Sequence, residues 1–206
     1  MSHILHLDAS PRAERSISRM LSDEFMTAWK DSHSDDTVTY RDLGHQSIPH
    51  VTEAWIAAAF SSPADRTPDL QTALHLSDQL IDELLTADRY VFGIPLYNFS
   101  VPSVFKAYLD QIVRVGRTFV LDSSGYTGLV KDRKMMVITA QGGSYRPGTA
   151  TGSFNFHEPY LRAVFKVIGI TDISFIYADG VAMGDEARSH SLSAARADIQ
   201  SAIGAW

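Results

Sequence analysis

The sequence predicts a three-layer, doubly wound α/β domain around a five-stranded parallel sheet, and three observations carry that expectation. Five short apolar runs of strand length recur along the 206 residues, most of them ending near Gly, Pro, Ser or Asp. Between the runs the apolar period switches to steps of three and four, the signature of amphipathic helices. The runs at 90–94 and 135–139 are almost continuously apolar, as strands covered on both faces of a parallel sheet must be.

In chain order, a first strand at 4–7 precedes a helix whose apolar stripe is Ile17, Met20, Leu21, Phe25 and Trp29. A second strand at 38–40 is followed, after a long connection, by a helix built on Leu70, Ala73, Leu74, Leu80, Ile81, Leu84 and Leu85. The third strand at 90–94 leads to a helix on Phe105, Tyr108, Leu109, Ile112 and Val113 that stops before Gly116. The fourth strand, 135–139, is followed by a helix on Leu161, Val164, Phe165 and Ile168 that stops before Gly169. A fifth strand at 173–177 and a helix on Leu192, Ala195, Ile199 and Ala202 complete the pattern. Gly116 and Gly169 are expected as helix C-caps. The connections 43–68 and 117–133 exceed what a strand-to-helix turn needs and are expected to be covers or interface elements. The length suits one domain over 1–206.

Composition narrows the chemistry. Eighteen basic against 24 acidic residues give a net charge of -6 without a Lys/Arg cluster, which argues against nucleic-acid or anionic-membrane partners. With no cysteine, disulfides, thiolate metal sites, iron–sulfur clusters and Cys nucleophiles are excluded, so redox chemistry requires a bound cofactor. The first residues carry no basic segment and their apolar run meets Asp8, unlike a secretory signal, so a cytoplasmic protein is expected. The 98–100 sequon therefore lacks a secretory context, and no window offers the roughly 18 to 20 apolar residues of a membrane span.

In open parallel sheets, ligands bind beyond the carboxyl ends of the strands at the point where strand order reverses. After the first strand, Ser10, Ser16 and Ser18 with the N-terminal amides of the following helix suit a phosphate, and Arg12 or Arg15 can supply the opposing charge. The same residues also suit a plain helix cap beside two solvated arginines. No Gly-x-Gly fingerprint and no Gly-Lys-Ser/Thr occurs, so a phosphate monoester held by hydroxyls fits better than a buried pyrophosphate. After the third strand, Leu96, Tyr97, Asn98 and Phe99 offer flat apolar faces around one amide, as a planar heteroaromatic ring requires, before a helix that Pro102 is placed to begin. After the fourth strand, Ala140, Gln141, Gly142 and Gly143 offer closely approachable backbone. Together these are the parts of a flavin mononucleotide (FMN) site.

At these loops the chain resembles the FMN-dependent NADH azoreductases, a flavodoxin-like family that also acts as NADH:quinone oxidoreductases. The resemblance runs through the opening segment 4–12, the loop 95–99, the segment 137–143 and the segment 169–172. It implies phosphate contacts at Ser10, Ser16, Ile17 and Ser18, ring contacts at Leu96, Tyr97, Asn98 and Phe99, and glycine-loop contacts at Ala140, Gln141, Gly142 and Gly143. The chain departs from the family at Ala140-Gln141, where many relatives carry Ser-Arg, and at Leu121, where relatives often place an aromatic. The resemblance also implies NADH or NADPH as co-substrate, a quinone or azo compound as acceptor, and a homodimer whose substrate pocket is shared between the subunits, with the 43–68 and 117–133 segments as partner-facing elements. It implies ping-pong hydride transfer through flavin N5, with no catalytic side chain required; independently of the resemblance, water, Tyr145 and His157 are the candidate proton sources, a lone loop histidine such as His157 being expected to be solvated.

A flavodoxin-like electron carrier is the alternative, against which the two long connections count. A Ser-His-Asp hydrolase is opposed by the missing Gly-x-Ser-x-Gly elbow, and a metal enzyme by the absence of a second histidine after His157-Glu158, so no metal is expected.

Overall fold

A computed structural model describes residues 1–123, 125–146 and 148–206. The strands β1 (His3–Asp8), β2 (Thr37–Asp42), β3 (Arg89–Gly93), β6 (Lys134–Ala140) and β7 (Asp172–Ala178) form one sheet in the order β2-β1-β3-β6-β7. Every neighbouring pair in it is parallel. The five expected strands are the five strands of this sheet, each within a residue or two of its apolar run.

Period-two side chains divide the core between the two faces of the sheet. Leu5, Leu7, Tyr90, Phe92, Met135 and Val137 pack on one face against α3 (Pro68–Thr86), α4 (Ser103–Ile112) and α5 (His157–Ile168). Ile4, Val91, Met136, Ile138 and Ile176 pack on the other face against α1 (Ile17–Ser32) and α6 (Asp185–Ile203), with Trp29 and Trp206 closing that layer. The near-continuous apolar runs thus reflect burial on both sides.

The long connections hold more order than expected of loops. Within 43–68, α2 (Glu53–Phe60) is capped by the Thr52 hydroxyl and buries Trp55, Ala58 and Ala59 beside Leu74 of α3. Its apolar residues run almost all the way around, so no stripe of helical period marked it. Within 117–133, β4 (Phe119–Asp122) and β5 (Gly125–Gly128) form an antiparallel hairpin in which Leu121 stands opposite Tyr126, both largely exposed. Ser124, in that segment, lies outside the described residues. Two of the four β5 residues are glycine, which hides the strand from propensity.

Gly169 ends α5 at φ 108, its N–H reaching the carbonyls of Phe165 and Lys166, as expected of a C-cap glycine. Gly116 does not cap α4. That helix ends at Ile112 with Val113 as its cap, and Gly116, at φ 76, serves the turn into β4 by donating to the Phe119 carbonyl at 2.8 Å. Pro102 is the N-cap of α4 and not its first residue. No helix among the described residues is long and apolar enough to cross a membrane.

Candidate cofactor site at the sheet switch point

Strand order reverses between β1 and β3, since β2 lies outside β1 and β6 outside β3. A cavity of about 420 Å³ opens there. Ser10, Arg12, Arg15, Ser16, Ile17 and Ser18 line it from the β1–α1 connection, and Pro95, Leu96 and Tyr97 from the β3–α4 connection. Ala140 and Gly142 follow β6, while Val181, Ala182 and Arg188 come from beyond β7. The structure therefore gathers eight of the residues marked in the sequence: Ser10, Ser16, Ile17, Ser18, Leu96, Tyr97, Ala140 and Gly142.

The anion end is built on the first turn of α1. Ser16 is the N-cap, its hydroxyl accepting the Arg19 N–H at 3.3 Å and standing 3.3 Å from the Ser18 hydroxyl. Capping and cavity lining coincide in one residue, so the two readings of Ser16 do not compete. The N–H groups of Ile17 and Ser18 have no acceptor among the described residues, the usual condition of a helix N-terminus, and it is here turned toward a cavity. Across from them the Ser10 hydroxyl lies 3.3 Å from the Tyr97 hydroxyl. The Arg12 and Arg15 side chains are exposed and form no ion pair among the described residues.

The remaining four marked residues do not line this cavity. Asn98 and Phe99, at φ 46 and 70, are the two central residues of a tight turn closed by reciprocal hydrogen bonds between Tyr97 and Ser100. Asn98 is exposed. The Phe99 ring meets Tyr145 edge-on at 5.7 Å and Phe154 at 5.5 Å. Gln141 points inward and is fully buried, with neither side-chain polar atom hydrogen-bonded among the described residues. Its backbone, anchored to Ala178 and Val181, fixes the loop. Gly142 is the open edge: a Cβ there would meet only the Ala182 methyl, at 3.5 Å. At Gly143 a Cβ would instead press on the Tyr145 ring, its hydroxyl oxygen 3.0 Å away.

His157 is the clearest departure from expectation. It is the first residue of α5, fully buried, and burial holds its pKa down at about 4 while the Ile94 carbonyl and Glu158 oppose the shift. It is neither solvated nor a ready proton donor near neutral pH.

Sequence reasoning passed over Arg188 and the 181–182 turn, although a fifth strand-end loop, marked by Gly180 and Gly184, was visible by the same rule that located the other three. It also passed over Arg19, which reads as one more polar residue of an amphipathic helix. A larger hollow of about 830 Å³ runs along the outer face of α1 between Glu14, Asp23, Glu24, Asp31 and Asp42 and shares only Ser16 with the first. Its acidic rim repels an anion, so size does not make it the better site.

Sheet order and crevice define a doubly wound α/β protein with a cavity at the switch point. Residues 2–203 match the family described as having the flavodoxin-like fold, and the chain belongs to that family. It is 58% identical, over the full length of both chains, to an FMN-dependent NADH:quinone oxidoreductase of Trichormus variabilis. Among solved structures it is similar to an azoreductase of Bacillus anthracis, at a TM-score of 0.92 and 27% identity with both chains wholly covered. An FMN-dependent NADH-azoreductase of the same organism, solved in complex with FMN, matches at a TM-score of 0.89 and 26% identity, over 99% of this chain and 98% of that one. These relatives bear out the resemblance drawn from the loop motifs.

Proposed function

We propose that this chain, as one domain over residues 1–206, is an FMN-dependent oxidoreductase that takes reducing equivalents from NADH and passes them to quinones, with azo compounds as further acceptors. The observation that carries the reading is the switch-point cavity, with hydroxyls, free amides and guanidinium groups at one end and an open glycine edge at the other. Full-length identity to a relative of that named activity supports it.

On this reading the hydroxyls of Ser10, Ser16 and Ser18 and the amides of Ile17 and Ser18 hold the FMN phosphate, with Arg12 and Arg15 offsetting its charge. Leu96 and Tyr97 of the lining, with Asn98 and Phe99 of the adjoining turn, seat the ring, and the backbone of Ala140 and Gly142, continued by Gln141 and Gly143 of the same loop, edges it. When bound, FMN supplies two-electron ping-pong chemistry, accepting hydride from NADH at N5 and delivering two electrons to the acceptor. The protein contributes position and fixed dipoles and no nucleophile. With His157 buried and neutral, protons are drawn from solvent or from the half-buried Tyr145. A homodimer goes with this reading, supported by the exposed Ile56 and Phe60 of α2 and Leu121 and Tyr126 of the hairpin. A cytoplasmic location fits the use of NADH.

The test is the absorbance spectrum of the purified protein, followed by NADH oxidation with menadione at catalytic amounts of protein. Flavin bands, release of FMN on denaturation and steady turnover are expected. A colourless protein that does not take up FMN removes the reading, and full loading without turnover makes the chain an electron carrier.

A further inference from the structure

We infer that Arg19 is a positioning residue for the anion end of the cavity, a clamp outside it that holds the two ends of the 10–16 loop at the spacing a phosphate requires. The inference rests on the cavity being the FMN site. Arg19 does not line that cavity; it faces the outer groove of α1, its side chain only 12% exposed. From there its Nη2 donates to the Ser10 carbonyl at 2.9 Å, while its own backbone N–H donates to the Ser16 hydroxyl at 3.3 Å. One residue thus grips both serines that open and close the loop.

The guanidinium is itself fixed from behind. Its two η-nitrogens fork onto the Asp42 carboxylate at 3.0 and 2.7 Å, Nη1 also donates to the Tyr40 hydroxyl, and Nη1 stands 3.6 Å from the buried Asp8 carboxylate. Both carboxylates end strands of the sheet, so the clamp ties the loop to the rigid edge of β1 and β2. Gly44 completes the seat, since a Cβ there would lie 2.1 Å from the same Ser10 oxygen. The loop needs such holding: Ala13 sits at φ 48, a left-handed conformation that a non-glycine residue keeps only under constraint from its surroundings. With its guanidinium forked onto Asp42 and facing away from the cavity, Arg19 has no direct role toward the ligand, which falls to Arg12 and Arg15.

The experiment compares FMN with riboflavin, which lacks the phosphate, by quenching of flavin fluorescence on the full chain. Arg19→Gln is expected to weaken FMN about tenfold or more, the usual effect of losing a charge-assisted hydrogen bond, and to leave riboflavin within about twofold. Arg19→Lys should not restore FMN binding, because a point charge cannot make the fork. Asp42→Asn should reproduce the loss, and the double variant should be no worse than either single one. Amide exchange of residues 10–18 in the flavin-free chain should accelerate in Arg19→Gln. If that variant does not fold, Asp42→Asn, which removes the anchor and keeps the cation, carries the same comparison. Unchanged FMN affinity, or equal losses for both flavins, overturns the inference alone. Wild-type protein that binds neither flavin overturns the site reading and the clamp with it.

Discussion

Asn98 and Phe99 occupy adjacent left-handed positions, which asparagine tolerates and phenylalanine does not readily adopt. The strain at Phe99 is the kind that persists where surrounding structure dictates it, and here the Phe99 carbonyl is tied to Phe156 N–H at 3.0 Å while its ring is held by Tyr145 and Phe154. His157, one residue further on, sets a pH dependence. Its pKa, about 4 when folded against about 6.5 in a free chain, means that between those values the unfolded state binds more protons than the folded one. Stability from this residue is complete above pH 6.5 and lost as pH falls toward 4, by up to about 3 kcal/mol. Denaturant unfolding between pH 4 and 7 should isolate this contribution as a difference: wild type should lose more stability toward pH 4 than His157→Phe does. Near β1, Asp8 acts with the opposite sign. Burial raises its pKa to about 7 despite the Ser22 hydrogen bond and Arg19, so its contribution is present at low pH and lost as pH rises from about 4 to 7. Asp8→Asn should therefore steepen the acid-side loss of stability.

Among the elements, the β4–β5 hairpin combines its own antiparallel pairing with docking on the end of α5. A Cβ at Gly128 would lie 2.2 Å from the Gly169 nitrogen and 2.3 Å from its Cα, and Val130 N–H donates to the Ile168 carbonyl at 2.9 Å. Because the obstruction is backbone, it cannot yield by a rotamer change. Gly128→Ala should destabilise the chain by about 1–3 kcal/mol, read from the denaturant midpoint. Gly204→Ala, at φ -82 with nothing within 4 Å of its Cβ, is the matched control and should change stability by less than about 0.5 kcal/mol.

For the whole molecule, the two long connections each place apolar side chains on the surface: Phe60 is 78% exposed and Leu121 62%. Such side chains are costly to leave in water when they come together, and a partner copy of the chain is the occupant proposed above. Sedimentation should give twice the chain mass. The double variant Phe60→Asp, Leu121→Asp should shift the protein toward monomer and weaken quinone turnover more than FMN binding. A monomeric wild type with full turnover would remove the shared pocket.

The layered α/β class, the five strands and the strand-end loops that line the switch-point cavity were legible in one dimension, because apolar period and strand-end composition are local properties. Ser16 and Gly142 were legible for that reason, as were Tyr97 and Gly169. Only the tertiary structure decided that Gln141 turns inward, that His157 is buried, that Gly116 serves a turn, and that Arg19 reaches Ser10 and Asp42 at once. Each of these depends on which side of an element faces a neighbour distant in sequence, and burial, hydrogen-bond partners and proton affinity are fixed by that neighbour and not by the residues on either side.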